Sequence, residues 1–183
     1  GLRAAGRDIT FSVNLSAQSF EENSVLRHIE DSLRQHNLPA QALILEITEQ
    51  MAIRHLDRTR EFIRSLLDVG CRFALDDFGA GFSSFSNLKN LPVDYIKISQ
   101  PFIENLATDS VDQAMVKSII QIARSLGRLT VAEYVQDART IELLREFGVD
   151  YAQGNYIGKA QDHPQMEVFQ RYAPKKWPGI ARG

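Results

Sequence analysis

The feature that most constrains the fold is a regular alternation of strand-like and helix-like segments. Short runs rich in β-branched and aromatic residues alternate with longer runs whose apolar residues recur at helical spacing. Each pair takes roughly 20–35 residues, the size of one βα unit in a parallel sheet. The predicted strands are 9–15, 43–47, 72–76, 93–98, 129–133 and 151–157, and the predicted helices are 24–37, 58–69, 109–126 and 140–147.

Two architectures are compatible with this alternation: an open doubly wound sheet and a closed parallel barrel. A doubly wound nucleotide-binding sheet needs a glycine-rich turn directly after a strand. The stretch Gly79-Ala80-Gly81 lacks the rest of that pattern. A barrel of the TIM (β/α)8 type explains the placement of the polar residues better. The predicted fold class is therefore α/β, with the barrel preferred.

Composition narrows the class of protein. The chain has 183 residues, of which 44% are hydrophobic and 24% charged, which fits one globular domain. The net charge of −2 gives no basic excess, so no nucleic-acid polymer is expected as a partner. No apolar run approaches the ~20 residues of a membrane span, so no membrane segment is predicted. The single cysteine, Cys71, lies in an apolar stretch, so we expect it to be buried. Because one cysteine forms no disulfide framework, we expect the protein to be cytoplasmic.

Polar residues stand at the carboxyl ends of the predicted strands. In a parallel barrel these ends converge on one rim, where active sites form. Alternation along a strand places Lys97 and Ser99 on one face, whereas Asp76 and Asp77 share a site only if the strand ends between them. The residues at the six strand ends are Asn14, Glu46, Asp76 with Asp77, Lys97 with Ser99, Glu133, and Gln153.

The chemistry of this set points to a cation. Two unit charges about 4 Å apart repel by roughly 4 kcal/mol at an effective dielectric constant of about 20, so clustered carboxylates take up protons or bind cations. Oxygen ligands favour Mg²⁺, Mn²⁺ or Ca²⁺, and a nearby lysine suits phosphate-ester chemistry. Each residue taken singly is also explained as a helix cap or a surface charge. We favour that interpretation for Thr48, Asp57 and Asp137.

Five motifs in the chain resemble those of EAL domains, and they occur in that family's order over about residues 7 to 160. The Asp-Asp-Phe-Gly block followed by Leu-Pro-Val-Asp and Lys-Ile is the most specific part. The motifs are Ser12-Val13-Asn14-Leu15-Ser16, Leu45-Glu46-Ile47-Thr48-Glu49, Asp76-Asp77-Phe78-Gly79-Ala80-Gly81-Phe82-Ser83-Ser84, Leu91-Pro92-Val93-Asp94-Tyr95-Ile96-Lys97-Ile98, and Gln153-Gly154.

The resemblance implies a modified TIM barrel that hydrolyses cyclic-di-GMP to linear pGpG. It also implies Mg²⁺ or Mn²⁺ as the cofactor, with Ca²⁺ as an inhibitory ion. The residues implied by motif are Asn14, Glu46, Asp76 and Asp77 as metal ligands, Lys97 and Glu133 as catalytic residues, Gln153 and Ser99 as substrate-binding residues, and Glu49 as the residue that positions the loop after Asp77.

The chain also departs from the family's pattern. The Glu-Ala-Leu segment is missing, so the resemblance implies an incomplete or modified barrel that lacks its first strand. We expect the domain to span residues 1–165 and a C-terminal tail to span 166–183. The substituted positions are Ser99 in place of aspartate, Tyr134 in place of glycine, Gln136 in place of glutamate, Asn155 in place of tyrosine, and Lys159-Ala160 in place of Arg-Pro.

These departures predict impaired catalysis, because two-metal hydrolysis depends on both ions. The missing ligands are expected to weaken metal binding as well. The leading hypothesis is a degenerate EAL domain that acts in cyclic-di-GMP signalling by ligand binding or protein interaction. Two alternatives stay open: an active metal-dependent phosphodiesterase and a purely structural interaction module. An open barrel edge exposes unpaired backbone groups, so a homodimer or a swapped dimer is also predicted.

Overall fold

The computed structural model describes residues 9–20, 23–54, 56–80 and 85–160. Strands and helices alternate there as the sequence predicts. The strands are β1 (Phe11–Asn14), β2 (Leu43–Thr48), β3 (Arg72–Phe78), β4 (Tyr95–Ile98), β5 (Leu129–Ala132) and β6 (Tyr151–Ala152). The helices are α1 (Asn23–Gln35), α2 (Glu49–Arg54), α3 (Leu56–Val69), α4 (Phe85–Asn90), α5 (Gln100–Glu104), α6 (Ser110–Ser125) and α7 (Ala138–Phe147).

These strands form one curled sheet in the order β1-β2-β3-β4-β5-β6. Every neighbouring pair is parallel, and chain order equals spatial order. That arrangement is typical of a TIM-type barrel, so the predicted α/β fold, an incomplete (β/α)8 barrel, is confirmed. The predicted domain boundary at 165 and the tail at 166–183 lie outside the described residues.

The two faces of the sheet have different roles. On the outer face, alternate residues of the central strands pack under the helices. Fully burying one such side chain contributes about 1.5–3 kcal/mol. The nearly inaccessible residues of this layer are Leu45, Ile47, Phe73, Leu75, Ile96 and Ile98. The opposite, inner face is where the polar residues of the strand ends lie.

Short elements are the ones that the sequence does not predict. Helices α2, α4 and α5 were not among the predicted helices, since runs of five or six residues carry little periodic signal. β6 is shorter than the predicted 151–157 strand because the chain turns at Gly154. Two smaller predictions are confirmed: Cys71 is buried, and Asp137 caps α7 by accepting a hydrogen bond from the Thr140 N–H at 2.8 Å.

A repeated Val-Asp-Tyr sequence fastens the amino ends of the strands. Asp94, just before β4, accepts a hydrogen bond from the Phe73 N–H at 2.9 Å. Asp150, just before β6, accepts hydrogen bonds from the N–H and hydroxyl of Thr130, each at 2.8 Å. Each aspartate thus binds the start of the preceding strand and fixes the register of the pair. The repeat is Val93-Asp94-Tyr95 and Val149-Asp150-Tyr151.

The first strand of the sheet is an exposed edge. All four residues of β1 are exposed, and the Phe11 and Val13 side chains are 50% and 47% accessible. Both residues point to the outer face, where Leu43 and Leu45 are their register partners. Among the described helices, none combines the length and the apolar character needed to cross a membrane.

Candidate metal and ligand site

Lys97, on β4, lies at the centre of the candidate site. Lys97 is 5% exposed, and its Nζ donates to three carboxylates. The distances are 2.7 Å to Glu46 Oε2, 2.9 Å to Asp76 Oδ1 and 2.8 Å to Glu133 Oε1. Glu46 and Asp76 come from β2 and β3, and Glu133 directly follows β5. The structure therefore brings together four of the residues predicted from the strand ends.

Sheet register explains this convergence. Glu46 lies opposite Ala74, and Ala74 lies opposite Tyr95. Because side chains alternate along a strand, residues two positions further on, Asp76 and Lys97, share the inner face with Glu46. A parallel sheet brings these carboxyl ends to one rim without any further adjustment of the chain.

A β-bulge brings the second aspartate to the same rim. β3 advances from Leu75 to Phe78 while β4 advances only from Ile96 to Ile98, so β3 holds one extra residue. Asp77, inside this bulge, has a left-handed backbone with φ of 53°. The bulge breaks the alternation that would otherwise send adjacent side chains to opposite faces. The sequence-based condition that the strand end between Asp76 and Asp77 is not met, since β3 continues to Phe78; the bulge interrupts the alternation instead.

The charges of the cluster shift the protonation of its members. Burial favours loss of the Lys97 proton, but hydrogen bonds to Glu133, Glu46 and Asp76 outweigh burial and raise the pKa of Lys97. Burial also raises the pKa of Glu133 to about 7, and the nearby charge of Asp76 adds to this, although Lys97 opposes it. The site therefore keeps a positive ammonium group, and Glu133 exchanges its proton near neutral pH.

The loop that follows β3 is held from two sides. Glu49 Oε2, at the start of α2, accepts a hydrogen bond from the Gly79 N–H at 3.0 Å, and Glu49 is 3% exposed. On the other side, the Phe102 ring of α5 lies so close that a Cβ on Gly79 would be 2.5 Å from it. Gly79 also has φ of 93°, so no larger residue fits there. Phe102 is a contact that the sequence analysis misses, because α5 is too short to be predicted.

Three predicted residues lie at this rim but outside the ion-pair cluster. Asn14 is the register partner of Glu46, and it is exposed. Gln153, just after β6, is also exposed. Ser99 is fully buried, and its hydroxyl donates to the Phe78 carbonyl at 3.1 Å. The Ser99 oxygen is thus engaged with the main chain at the end of β3.

The carboxylates fit a hard divalent cation. One oxygen from each of Asp76, Asp77 and Glu133 lies within 4.8 Å of the other two. Two oxygens on opposite sides of one Ca²⁺ ion are about 4.6–5.2 Å apart, and on opposite sides of Mg²⁺ about 4.0–4.2 Å. With Glu46, the described residues place these four carboxylates at the rim, close to the ammonium group of Lys97. An additional cation would balance the excess negative charge.

The fold and the site together define a class of protein: a TIM-type barrel domain with a candidate divalent-cation site at the carboxyl rim of its sheet. A family model described as EAL domain matches residues 2–160. The chain belongs to the EAL domain family.

Known proteins similar to this chain carry names from cyclic-di-GMP chemistry. The chain is 42% identical over 155 residues to the cyclic di-GMP phosphodiesterase PdeB of Shewanella oneidensis, covering 85% of this chain and 18% of that protein. It is similar to the solved PaMucR phosphodiesterase complex with c-di-GMP, with a TM-score of 0.83, 35% identity, and coverage of 91% of this chain and 68% of that one. It also resembles the calcium/cy-diGMP complex of Klebsiella pneumoniae BlrP1, with a TM-score of 0.80, 26% identity, and coverage of 86% and 40%. The chain therefore spans about a fifth of the length of PdeB.

Proposed function

We propose that this chain is a cyclic-di-GMP-binding EAL domain with impaired hydrolysis, which acts in signalling through ligand binding or protein interaction. The observation that carries the proposal is the assembled cluster of Lys97 with Glu46, Asp76 and Glu133, at distances of 2.7–2.9 Å. An ammonium group and a cation site side by side suit a phosphodiester, which carries negative charge on its oxygens.

The metal would be held by Asp76, Asp77 and Glu133, and we propose Asn14 and Glu46 as further ligands. A bound Mg²⁺ or Mn²⁺ would supply charge stabilisation at the phosphate, and Ca²⁺ would support binding without turnover. Lys97 orients the phosphate by donating hydrogen bonds. We propose that Gln153, just after β6, contacts the ligand. Glu49 holds the loop at Gly79 in place through its hydrogen bond to the Gly79 N–H.

Impaired hydrolysis is inferred from Ser99. The resemblance implies an aspartate at this position, whereas here a neutral hydroxyl donates to the Phe78 carbonyl. A second cation would then lack a carboxylate ligand, and two-metal catalysis needs both ions. Ligand binding needs less, because it would use the charge of Lys97 and one cation held by the remaining carboxylates.

Calorimetric titration with cyclic-di-GMP in Ca²⁺ tests the binding proposal, and a product assay in Mn²⁺ tests turnover. We expect saturable binding and little linear pGpG. Binding that disappears in Asp76→Asn, together with binding retained in a variant far from the rim such as Lys117→Met, would place the ligand at this cluster. Absence of any binding would overturn the proposal and favour the purely structural interaction module.

An active phosphodiesterase is the second candidate. The cluster of Lys97 and its three carboxylates favours it, because these residues match the motif positions that the resemblance assigns to catalysis and metal binding. Rapid, Mn²⁺-dependent formation of pGpG by the wild-type chain, lost in Glu133→Gln, would establish this function instead.

Self-association is a further part of the proposal. Among the described strands, β1 has a neighbour on one side only, and it presents the exposed residues Phe11 and Val13. Exposed edge strands pair readily. We propose a homodimer or swapped dimer in which a second copy covers this edge. Light scattering on the wild-type chain and on Val13→Lys tests it. A dimer that becomes monomeric in the variant supports the proposal, and a well-folded wild-type monomer contradicts it.

A further inference from the structure

Tyr134 holds a backbone conformation that its side chain does not favour. Its φ is 56°, in the left-handed region, and among the described residues only Asn37 and Asp77 share this property without being glycine. Asparagine and aspartate tolerate the conformation because their short polar side chains bond locally. Tyrosine has no such compensation. The strain corresponds to roughly a 5- to 30-fold loss in the ratio of folded to unfolded protein.

The residues on both sides of Tyr134 enforce this strain. The Glu133 N–H donates to the Ile98 carbonyl at 3.3 Å, and its carboxylate binds Lys97. On the other side, Val135 is fully buried, and its N–H donates to the Gln153 carbonyl at 3.0 Å. Because both neighbours are fixed, Tyr134 must take the left-handed backbone angle that joins them.

The strained residue lies beside the candidate site and stays accessible. Tyr134 directly follows Glu133 and is 38% exposed. Two residues further on, the Gln136 Oε1 accepts a hydrogen bond from Asn155 Nδ2 at 3.4 Å, and both side chains are exposed. This stretch of the rim thus offers an aromatic ring and amide groups. That pair of groups recognises planar bases, through stacking and through hydrogen bonds to the base edge.

We propose that the Tyr134 ring is a stacking platform for a purine base of the bound ligand, and that the strain persists because it holds the ring at the rim. Strained residues cluster at ligand-binding sites when the surrounding structure over-determines them. The inference rests on the proposed function, and it adds a ligand-contacting residue and a role in recognising the base.

The test compares stability and affinity in Tyr134→Asn. Asparagine accepts the left-handed backbone, and unlike glycine it does not add conformational freedom to the unfolded chain. We therefore expect the ratio of folded to unfolded protein, measured in urea, to rise about 5- to 30-fold. Calorimetry with cyclic-di-GMP in Ca²⁺ should show affinity falling about tenfold, within the range that base–aromatic stacking implies. Tyr134→Phe keeps the ring and should bind within about twofold of wild type. If Tyr134 had only a structural role, Tyr134→Asn would not increase stability while it lowers ligand affinity.

Asn37→Tyr is the matched control, because it places a tyrosine on an exposed left-handed position at the end of α1. It should lose stability and bind the ligand as wild type does. Wild-type affinity in Tyr134→Asn would overturn this inference and leave the proposed function intact. A lower folded-to-unfolded ratio in Tyr134→Asn would overturn the strain argument. Absence of binding by the wild-type chain would overturn the proposed function, and this inference with it.

Discussion

Replacing Lys97 with methionine should show how strongly the cluster depends on its central charge. Lys97 is 5% exposed and donates to three carboxylates at 2.7–2.9 Å. Hydrogen bonds to charged groups contribute about 1.5–3 kcal/mol each, so the gross loss is about 4.5–9 kcal/mol. Part of this loss is offset, because methionine does not have the desolvation cost of a buried ammonium group. A net destabilisation of about 3–5 kcal/mol is typical when a buried charge loses its partner.

Urea denaturation in EDTA at neutral pH measures this loss. Lys117→Met is the matched control, because Lys117 is an exposed residue of α6 whose ammonium group lies over the Phe147 ring, 4.3 Å from its centre. That change should cost about 0.5–1 kcal/mol. Adding Ca²⁺ should stabilise Lys97→Met by about 2.7 kcal/mol when free Ca²⁺ is a hundred times that variant's dissociation constant. The same Ca²⁺ concentration should stabilise wild type less, because the Lys97 ammonium group repels the ion. A Lys97→Met protein within about 0.5 kcal/mol of wild type, with no extra response to Ca²⁺, would refute the reasoning.

Three other changes give independent tests. In the folded protein the pKa of Glu133 is raised from 4.5 to about 7. Its contribution to the free energy of unfolding is therefore full below pH 4.5 and is lost as the pH rises to about 7. Glu133→Gln should reduce this loss of unfolding free energy by up to ~3 kcal/mol, measured by denaturation without metal. An unchanged dependence of the unfolding free energy on pH would contradict this. Gly154→Ala would force a Cβ onto the Val135 backbone and should cost about 3 kcal/mol, whereas Gly127→Ala, with open space around it, should cost about 1 kcal/mol by thermal unfolding. Ser99→Asp should raise Mn²⁺-dependent pGpG formation about tenfold or more if the missing carboxylate limits catalysis, and an unchanged rate would count against that explanation.

The architecture could be predicted from the sequence because it depends on short-range patterns. Strand-like and helix-like runs alternate, and polar residues stand at the strand ends. Since parallel strands place these ends at one rim, the sequence predicts that Glu46, Asp76, Lys97 and Glu133 meet there. Short helices such as α5 could not be predicted, because five residues carry almost no periodic signal.

The details that set the chemistry depend on tertiary contacts and had to be observed. The left-handed conformation of Asp77 follows from one extra residue in β3 relative to β4, and nothing within β3 alone announces that mismatch. The bond from Ser99, just after β4, to the Phe78 carbonyl of β3 is likewise a contact between elements distant in sequence. Tyr134 was identified as a departure from the family's glycine, but its strain became visible only in the backbone angles.

The central claim is that carboxylates from separate strands bind a divalent cation beside Lys97. Anomalous diffraction from crystals of the protein grown with Mn²⁺ and cyclic-di-GMP measures the position of that ion directly. The account predicts an anomalous peak about 2–2.5 Å from carboxylate oxygens of Asp76 and Asp77 on β3 and of Glu133 after β5. A map with ligand bound elsewhere on the protein and no manganese at this rim would contradict it.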